Sequence, residues 1–300
     1  GDNPRFDNVD STAGDNGYGS FTLVDGEWTY TLDQSKVQQL DEGDKVSDTI
    51  TFTATDGTRQ QVTVEITGTE DASQVSGTFT GAVTEGNIGD APETATGTIA
   101  ISDVDNGDNP RFADVTSTEG DNGYGSFTLV DGEWTYTLDQ SKVQQLAKSE
   151  EVEDTITFRA TDGTEQQITV NITGTNDAPV IHHPDMGSDT WMHHAYTEGS
   201  GKQAIFNGVS VTDIDSANLS RAVISLTSPT EKEGELQNGY DPDHDSLTLP
   251  SELADQFVLT YSEYPDANGN PTAYWTLAVK DGGSLPKADF DAALNALQYE

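Results

Sequence analysis

Two nearly identical segments follow one another in this chain. Residues 1–68 return at residues 107–174 with a constant offset of 106, and about four fifths of the paired positions are identical. Solenoid repeats are about 20–50 residues long, whereas a period of 106 residues has the size of an independently folding domain. We therefore expect a whole domain in tandem, an arrangement that usually serves length or valency.

The chain is strongly acidic, with 53 acidic and 13 basic residues and a formal net charge of −40. This balance excludes nucleic acid as a partner, because a phosphate backbone requires clustered lysine and arginine, and it disfavours anionic membranes. A hydrophobic content of 33% with recurrent aromatic residues indicates folded domains. The repulsion between the negative charges of the folded chain must then be reduced, either by bound divalent cations or by a saline habitat. Since the chain has no cysteine, disulfides and thiolate metal sites are excluded.

The repeat has the residue pattern of an antiparallel β-sandwich. Apolar and polar residues alternate over Ser20–Val24 and Glu27–Leu32, and Asp25-Gly26 between them is a tight-turn signal. The pattern breaks at Ser35–Leu40 and Ser141–Leu146, which predicts a short helical turn in each copy. Period two with one apolar face is typical of sandwiches. The predicted fold class is therefore all-β, with tandem β-sandwich domains in an extended array.

Three domains are expected. Residues 1–71 form a partial repeat, residues 72–178 a complete repeat, and residues 179–300 a third domain that differs in sequence. The complete copy begins with two predicted strands, Val75–Thr84 and Thr94–Ser102, for which the first copy has no counterpart. Either the chain is a fragment, or another molecule completes the first copy.

The third domain is also expected to be rich in strands. Its predicted strands cover residues 205–206, 209–211, 222–226, 257–261 and 273–279. Lys287–Gln298 carries its apolar residues on one side, which predicts a short helix. We expect this domain to be truncated soon after that helix.

The same order of acidic residues occurs at both domain boundaries: linker residues, a lone glutamate and an Asp-x-Asp pair. The residues of the first boundary are Glu70, Asp71, Glu85, Asp103 and Asp105. Those of the second boundary are Asn176, Asp177, Glu198, Asp213 and Asp215. Ca²⁺ takes six to eight oxygen ligands, and carboxylates bind it singly or in bidentate fashion. A linker, a first strand and a loop can meet at one pole of a sandwich, so we predict Ca²⁺ sites at both junctions.

Electrostatics gives such clusters a mechanical consequence. Carboxylates within about 4–6 Å of each other repel by roughly a few kcal/mol per pair at an effective dielectric constant near 20. A divalent cation turns this repulsion into a clamp that fixes the angle between domains. The alternative is that these residues are solvated surface acids, because Asp-x-Asp arises by chance in a chain with 53 carboxylates.

Several motifs follow one another in a fixed order. They are Asp-Gly-x-Trp-x-Tyr-x-Leu-Asp (Asp25–Asp33 and Asp131–Asp139), Val-Gln-x-Leu, Thr-Asp-Gly and Gly-Thr-Asn-Asp-Ala-Pro. Through them residues 1–178 resemble the VCBS-type bacterial immunoglobulin-like repeats of giant RTX adhesins exported by type I secretion. Residues 179–300, with Tyr196-Thr-Glu-Gly and Val211-Thr-Asp-Ile-Asp, are similar to the cadherin-like modules of the same proteins.

This resemblance implies an extracellular location on a bacterial cell surface, Ca²⁺-stiffened extender domains, and a role in cell adhesion and biofilm formation. The implied partners are calcium ions, neighbouring domains of the same long chain, and a surface glycan or peptide bound by adjacent domains, without membrane insertion. Asn176-Asp177-Ala178-Pro179 is also similar to the Ca²⁺-binding linkers of cadherins. Glu70 and Ser73 replace the asparagine and proline of that pattern, so the first linker is expected to be less rigid.

One alternative function is a Ca²⁺-dependent glycan- or peptide-binding module in the third domain, which carries Trp191 and Trp275. Trp28 and Trp134 are instead predicted to be core residues and not a sugar platform. The sequence has no phosphate-binding glycine loop or helical zinc motif, and we recognise no nucleophile–base pattern in it. No enzymatic activity is therefore expected.

Three further groups are secondary metal candidates. Turn residues that are also candidate cation ligands are Asp2, Asp15, Asp108 and Asp121. The alternating acids Asp241, Asp243 and Asp245 mimic an EF-hand loop, but Ser246 stands where that loop needs glycine. The histidines of the third domain either bind a transition metal or are ordinary surface residues; they are His182, His183, His193 and His194.

Overall fold

The computed structural model describes residues 3–184, 196–197, 199–226, 246–265 and 271–300. Strands dominate these residues, which confirms the all-β prediction with tandem β-sandwich domains. The chain divides into two compact units. The first consists of Gly1–Val83, Pro92–Asp139 and Val152–Ile172, and the second of Thr84–Ala91, Gln140–Glu151 and Thr173–Glu300. No helix in the described part of the chain has the length and apolarity needed to cross a membrane.

The first copy is built from five strands. They are β1 (Val9–Ala13), β2 (Gly19–Val24), β3 (Glu27–Leu32), β4 (Lys45–Thr53) and β5 (Arg59–Thr67). They pair antiparallel as a three-stranded sheet, β1-β2-β3, and a two-stranded sheet, β4-β5. The predicted tight turn joins β2 to β3, since Asp25 and Gly26 have φ angles of 50° and 89°, as a type I′ turn requires. The predicted helical turn is a 3₁₀ turn over Gln34–Lys36.

The second copy has eight strands. They are β6 (Gln74–Gly77), β7 (Thr80–Thr84), β8 (Thr94–Ser102), β9 (Val115–Glu119), β10 (Gly125–Val130), β11 (Glu133–Leu138), β12 (Glu151–Arg159) and β13 (Glu165–Thr173). The sheet orders are β6-β8-β11-β10-β9 and β12-β13-β7. The prediction of one continuous strand over Val75–Thr84 is wrong, because β6 and β7 belong to different sheets. The break follows Gly77, whose φ of 137° is readily adopted only by glycine.

The two copies differ in the burial of one tryptophan position. Trp134 on β11 has no exposed surface, whereas its counterpart Trp28 on β3 is 45% exposed. In the second copy β8 pairs with β11, but no described strand pairs with the free edge of β3. The prediction that Trp28 is a core residue is therefore wrong, because burial of this position needs strands that, among the described residues, only the second copy has.

Each copy contains a carboxylate without any exposed surface. Asp154 on β12 accepts hydrogen bonds from the backbone N–H groups of Asn122, Tyr124 and Gly125 at 3.0–3.1 Å. Asp48 accepts the corresponding three bonds in the first copy. These bonds satisfy the buried charge and tie the turn before the hairpin to the opposite sheet.

Within residues 179–300, the described part of the chain combines strands with one α-helix. The elements are β14 (Val180–His182), β15 (Gln203–Ala204), β16 (Ser210–Thr212), β17 (Asn218–Leu219), β18 (Arg221–Leu226), β19 (Leu247–Thr248), β20 (Phe257–Pro265), β21 (Pro271–Val279), β22 (Leu285–Pro286), α1 (Lys287–Ala296) and β23 (Gln298–Tyr299). The sheet orders are β14-β16, β15-β23-β19, β17-β22 and β18-β21-β20. The predicted helix is confirmed and ends at Ala296, whereas the strand expected at residues 205–206 lies at Gln203–Ala204.

The core of this region packs the helix against strands. Phe290 and Leu294 on α1 are buried together with Leu277 and Trp275 on β21. Trp275 is only 3% exposed, so it cannot serve as a platform for a glycan. Trp191, the other tryptophan considered for that role, lies outside the described residues.

Candidate metal centre

Four carboxylates from three separate segments meet at the first junction. Asp41, Glu70, Asp105 and Asp108 each place one oxygen within 4.8 Å of the oxygens of the other three. Asp41 follows the 3₁₀ turn of the first copy, Glu70 lies in the linker after β5, and the other two lie in the loop after β8. This junction cluster therefore brings the first copy, the linker and the second copy together at one point.

Asp105 is the buried member of the junction cluster. It is 4% exposed, and its Oδ2 accepts a hydrogen bond from the backbone N–H of Asp71 at 2.8 Å. Its other oxygen, Oδ1, is buried and has no hydrogen-bond partner. A buried carboxylate oxygen without a partner is unfavourable. A cation at the cluster would supply the missing interaction.

Asp71 and Asp103 shape this site without being members of the cluster. Asp103 Oδ1 accepts a hydrogen bond from the backbone N–H of Asp105 at 3.0 Å, and Oδ2 accepts one from the Ser73 hydroxyl at 2.8 Å. Ser73 Oγ also lies 2.6 Å from Asp162 Oδ2, although one hydroxyl proton cannot serve both carboxylates at once. These contacts hold the Asp-x-Asp loop against the linker and so position Asp105.

The crowding of negative charge changes the acidity of two cluster members. Desolvation first, and then the charges of Asp108 and Asp105, raise the pKa of Glu70. Desolvation and then the charges of Asp41 and Asp103 raise the pKa of Asp108. For these two residues the ionised form is less favourable than in water, and a bound cation would offset this.

A second acidic group lies at the next junction. The backbone N–H of Asp177 donates to Asp215 Oδ2 at 3.2 Å, which is the same linker-to-loop bond as at the first junction. The backbone N–H of Thr175 donates to Glu85 Oε2 at 2.8 Å. Asp177 Oδ2 and Asp215 Oδ1 are buried and have no hydrogen-bond partner, so here too the oxygens exceed the available donors.

Glu85 belongs to this second junction, and its assignment to the first one is wrong. Glu85 is 4% exposed, and the side-chain amide of Gln144 donates to its Oε1 at 3.1 Å. Burial raises the pKa of Glu85, the bond from Thr175 opposes this shift, and the charges of Asp177 and Asp215 add to it. Glu85 lies at the second junction because β6 and β7 carry the chain away from the first linker before Glu85 is reached.

The other residues predicted for the second boundary have different surroundings in the structure. Asp213 Oδ1 accepts a hydrogen bond from the Ser216 backbone N–H at 2.9 Å. Burial and the adjacent Asp213 side chain raise the pKa of Asp215. Asn176 is exposed, and its amide donates to the carbonyl oxygen of Asp177. Glu198 lies outside the described residues.

The two junctions do not offer the same ligands. The positions that correspond to the four members of the junction cluster are Ala147, Asn176, Asp215 and Asn218. Only Asp215 among them keeps a carboxylate. The second junction instead relies on Glu85 and Asp177 beside Asp215, so any cation there is held by a different set of oxygens.

Sequence reasoning missed Asp41 and treated Asp108 mainly as a turn residue. No motif marks Asp41, because it stands in an irregular segment after a 3₁₀ turn. A signal was nevertheless present in the repeat itself. The two copies differ at most positions of residues 41–47 and 147–153, although the flanking residues are identical. Six of the 14 differences between the copies fall within this run of seven residues, and such a concentration indicates a position-specific role.

Apart from Asp108, which is a member of the junction cluster, the secondary metal candidates gain little support from the structure. Asp121 Oδ2 accepts a hydrogen bond from the Thr155 hydroxyl at 2.8 Å, which is a turn-stabilising role. His182 Nε2 lies 2.8 Å from Thr212 Oγ1. The candidates outside the described residues are Asp2, His193, His194, Asp241, Asp243 and Asp245.

No family model matches this chain, and no curated protein matches it. Solved structures that resemble it include the protocadherin GammaB4 extracellular domain, which is 18% identical over 96% of this chain and 39% of that chain, with a TM-score of 0.32. A protocadherin gammaB7 EC3-6 cis-dimer structure is 12% identical over 75% of this chain and 65% of that chain, with a TM-score of 0.35.

A Ca²⁺-stabilized adhesin, described as helping an Antarctic bacterium reach out and bind ice, is 16% identical over 87% of this chain and 61% of that chain, with a TM-score of 0.22. The chain spans less than two thirds of the length of each of these three structures. At these identities and TM-scores, the likeness carries no conclusion about the activity of this chain.

Proposed function

We propose that this chain is a Ca²⁺-stiffened extender segment of an extracellular bacterial adhesin of the VCBS-type RTX class, with a non-catalytic role in cell adhesion and biofilm formation. The observation that carries the proposal is the junction cluster around Asp105, whose buried Oδ1 has no hydrogen-bond partner. The resemblance of residues 1–178 to VCBS-type repeats supports the cellular context.

The number of carboxylates in the junction cluster favours Ca²⁺ over Mg²⁺. Ca²⁺ binds oxygen at 2.3–2.6 Å, so ligands on opposite sides of the ion lie about 4.6–5.2 Å apart. Mg²⁺ binds at 2.0–2.1 Å, which places opposite ligands only about 4.0–4.2 Å apart. The oxygens of the junction cluster lie within 4.8 Å of one another, a limit that fits both ions. Four carboxylates at one point suit Ca²⁺, because Mg²⁺ usually keeps several waters and binds through only one or two carboxylates.

The residues of the cluster explain how an ion would stiffen the chain. Asp41 belongs to the first copy, Glu70 to the linker, and Asp105 and Asp108 to the second copy. A single ion bound to all four would fix three segments relative to one another, whereas the same four charges repel when no ion is present. The hydrogen bond from the Asp71 backbone N–H to Asp105 Oδ2 holds Asp105 in position to bind that ion.

Extracellular modules bind Ca²⁺ with dissociation constants on the order of 10⁻⁴–10⁻³ M. We expect affinities in this range, so that the junctions are filled outside the cell and empty in the cytosol. Under the proposal, export to a calcium-rich exterior couples secretion to folding and stiffening. The neighbouring domains of the same long chain then carry the ligand-binding surface.

Thermal unfolding in Ca²⁺ and in EGTA tests this proposal. We expect Ca²⁺ to raise the melting temperature of the full chain, and Asp105→Asn to reduce that rise. Glu42→Gln is the matched control, because Glu42 is exposed and next to Asp41 but is not a member of the cluster. An equal melting temperature in Ca²⁺ and EGTA contradicts the proposal.

Small-angle scattering tests the mechanical part separately. The maximum dimension should become larger and better defined in Ca²⁺ than in EGTA, and Asp105→Asn should weaken that change. Scattering profiles that coincide in Ca²⁺ and EGTA, while Ca²⁺ still raises the melting temperature, would show a stabilising ion without a stiffening role.

A further inference from the structure

Asparagine followed by glycine is the dipeptide that deamidates most readily, because glycine has no Cβ atom to hinder attack by its backbone nitrogen. This chain contains six Asn-Gly pairs. Two of them, at residues 238–239 and 268–269, lie outside the described residues. The asparagines of the four described pairs are Asn16, Asn106, Asn122 and Asn207. These four pairs differ in how firmly the surrounding structure holds them.

The pair at Asn16 is held by two hydrogen bonds. Its side-chain amide donates to the carbonyl oxygen of Ser47 at 2.7 Å. The backbone N–H of Gly17 donates to the carbonyl oxygen of Gly14 at 3.1 Å. The pair at Asn122 has the equivalent two bonds in the second copy. In both pairs these bonds must break before the glycine nitrogen can attack the asparagine side chain.

The pair at Asn207 has its glycine nitrogen engaged in another way. The backbone N–H of Gly208 donates to Asn295 Oδ1 on α1 at 2.7 Å. The same oxygen accepts from the backbone N–H of Val209 at 3.0 Å. The attacking nitrogen of this third pair is therefore also occupied.

The fourth pair, Asn106-Gly107, has no such restraint. Both residues are exposed. Among the described residues, neither the Asn106 side-chain amide nor the Gly107 backbone N–H has a hydrogen-bond partner. A Cβ atom built on Gly107 would meet no heavy atom within 4 Å. Of the four described pairs, this one leaves both reacting groups free.

Asn106-Gly107 lies between two members of the junction cluster. Asp105 precedes the pair and Asp108 follows it, and each contributes one oxygen to the cluster. The corresponding residues at the second junction are Ser216 and Ala217, which have no side-chain amide to lose. Of the two junction loops, only the first therefore carries a pair that can deamidate.

We propose that Asn106-Gly107 is a site of spontaneous deamidation, and that the modification loosens the calcium clamp of the first junction. The modification site is inferred from the restraints on the four described pairs. Its effect on the clamp rests on the Ca²⁺ site proposed above. Water is the only co-reactant, and no enzyme is required.

The reaction proceeds in two steps. The backbone nitrogen of Gly107 bonds to Cγ of Asn106, the bond from Cγ to Nδ2 breaks, and ammonia leaves with the proton that Gly107 gives up. Water then opens the five-membered imide. Cleavage of the bond from nitrogen to Cγ gives aspartate, whereas cleavage of the bond from nitrogen to the backbone carbonyl carbon gives isoaspartate. Either product replaces a neutral amide by a carboxylate.

Isoaspartate changes the length of the loop as well as its charge. The main chain then runs through the side-chain carbon atoms of residue 106 and gains one methylene group. Because Asp105 and Asp108 must keep their oxygens within 4.8 Å of each other, a longer link between them should weaken Ca²⁺ binding. A bound ion would in turn restrain the backbone on both sides of the pair and slow ring closure. A filled junction is thereby protected, whereas an empty one ages.

Ageing of the full chain in EGTA and mildly alkaline buffer tests the site. Trypsin places the four described pairs on separate peptides, which are residues 6–36, 60–111, 112–142 and 203–221. Mass spectrometry with electron-transfer fragmentation locates each modification and distinguishes isoaspartate from aspartate. We expect Asn106 to deamidate at least about tenfold faster than Asn16 or Asn122, whose bonds must first open. A rate at Asn106 no higher than at Asn122 overturns the site.

Local sequence is controlled within the same molecule. Asn16, Asn106 and Asn122 each lie in the tripeptide Asp-Asn-Gly, so their rates should become similar when the chain is aged in denaturant. A preference for Asn106 that persists in denaturant would assign the reactivity to sequence and overturn the structural inference.

Calcium titration tests the effect on the clamp. After ageing, the unmodified chain should bind Ca²⁺ at least about tenfold more weakly at one site. Asn106→Gln, aged in parallel, should keep its affinity, because glutamine would have to close a less favourable six-membered ring. Ageing in Ca²⁺ should slow the reaction at Asn106 by a larger factor than at Asn122.

The two parts of the inference fail separately from the proposed function. If the chain binds no Ca²⁺, the proposed function fails, and the rates in EGTA still decide the modification site. If the fresh chain binds Ca²⁺ and the aged chain binds it equally well despite isoaspartate at residue 106, the loosening is overturned and the modification site stands.

Discussion

The hydroxyl group of Tyr136 donates to Asp154 Oδ2 at 3.1 Å, and neither residue has any exposed surface. The same carboxylate also accepts bonds from the backbone N–H groups of Asn122, Tyr124, Gly125 and Thr155. Four of these five donors come from residues outside β12, so Asp154 is a polar link between the two sheets of the second copy.

Asp154→Asn should therefore be strongly destabilising. The amide group of asparagine would place N–H donors against the donors that now face one carboxylate oxygen, and buried donors would be left unpaired. Such losses cost about 3 kcal/mol or more. Chemical denaturation of the full chain in Ca²⁺ measures this as a lower midpoint for the transition of the second copy.

Tyr136→Phe is the control for that variant, because it removes a single bond and keeps the ring. We expect a loss of only about 1 kcal/mol. Gly120→Ala should resemble Asp154→Asn, since a Cβ atom at Gly120 would lie 2.3 Å from Asp154 Oδ1. A mild effect of Asp154→Asn, equal to that of Tyr136→Phe, would show that the carboxylate is not the anchor.

Glu70→Gln should change stability in opposite directions with and without calcium. The pKa of Glu70 is raised, so without a cation its contribution is favourable below the unfolded value of about 4.3 and is lost as the pH rises. In EGTA at pH 7 the variant should therefore melt at a higher temperature than the unmodified chain. In Ca²⁺ it should melt lower, because a ligand is missing.

Differential scanning calorimetry at matched ionic strength measures both directions. Glu42→Gln removes the same charge from an exposed neighbouring position and should shift the melting temperature equally in the two buffers. If Glu70→Gln behaves as Glu42→Gln does, Glu70 is not a ligand.

The second junction should gain affinity when its missing carboxylates are restored. Ala147→Asp with Asn176→Glu recreates the counterparts of Asp41 and Glu70. In an Asp105→Asn background, which disables the first junction, we expect Ca²⁺ to bind at least about tenfold more tightly by calorimetric titration. Lys148→Glu changes the net charge by the same −2 at an exposed position, and a similar gain from that control would attribute the effect to overall charge.

The first copy should lose stability at high pH through one tyrosine. Burial, and then the hydrogen bond to Asp48, raise the pKa of Tyr30 to about 12. The stabilising contribution is complete below the unfolded pKa of about 10 and is lost as the pH rises towards 12. Tyr30→Phe should flatten the decline in unfolding free energy over this range, as followed by circular dichroism. An unchanged decline in the variant assigns it to other groups.

The repeat and its alternating pattern were enough to predict the hairpin of β2 and β3, because Asp25-Gly26 encodes a turn that few other residues permit. They did not predict the division of Val75–Thr84 into two strands, since Gly77 in a strand pattern can equally mark a bulge. The exposure of Trp28 was also missed. An alternating strand shows which face is apolar, but the presence of a covering strand depends on residues elsewhere.

At the junctions, too, local spacing could be read from the sequence but tertiary contacts could not. The Asp-x-Asp pair and the linker acid led directly to Asp105 and Glu70, because local spacing determines that they lie near a domain boundary. Asp41 joins them only through the tertiary fold, from a segment more than 25 residues before the linker acid. Glu85 was placed at the wrong boundary, because the sequence does not state in which direction β7 carries the chain.

A metal count by native mass spectrometry tests the central claim most directly. The full chain, equilibrated in about 1 mM Ca²⁺, should carry bound Ca²⁺, and Asp105→Asn should carry at least one ion fewer while keeping its strand content by circular dichroism. Identical counts for the two proteins, or no bound Ca²⁺ on the unmodified chain, would contradict a calcium clamp at the first junction.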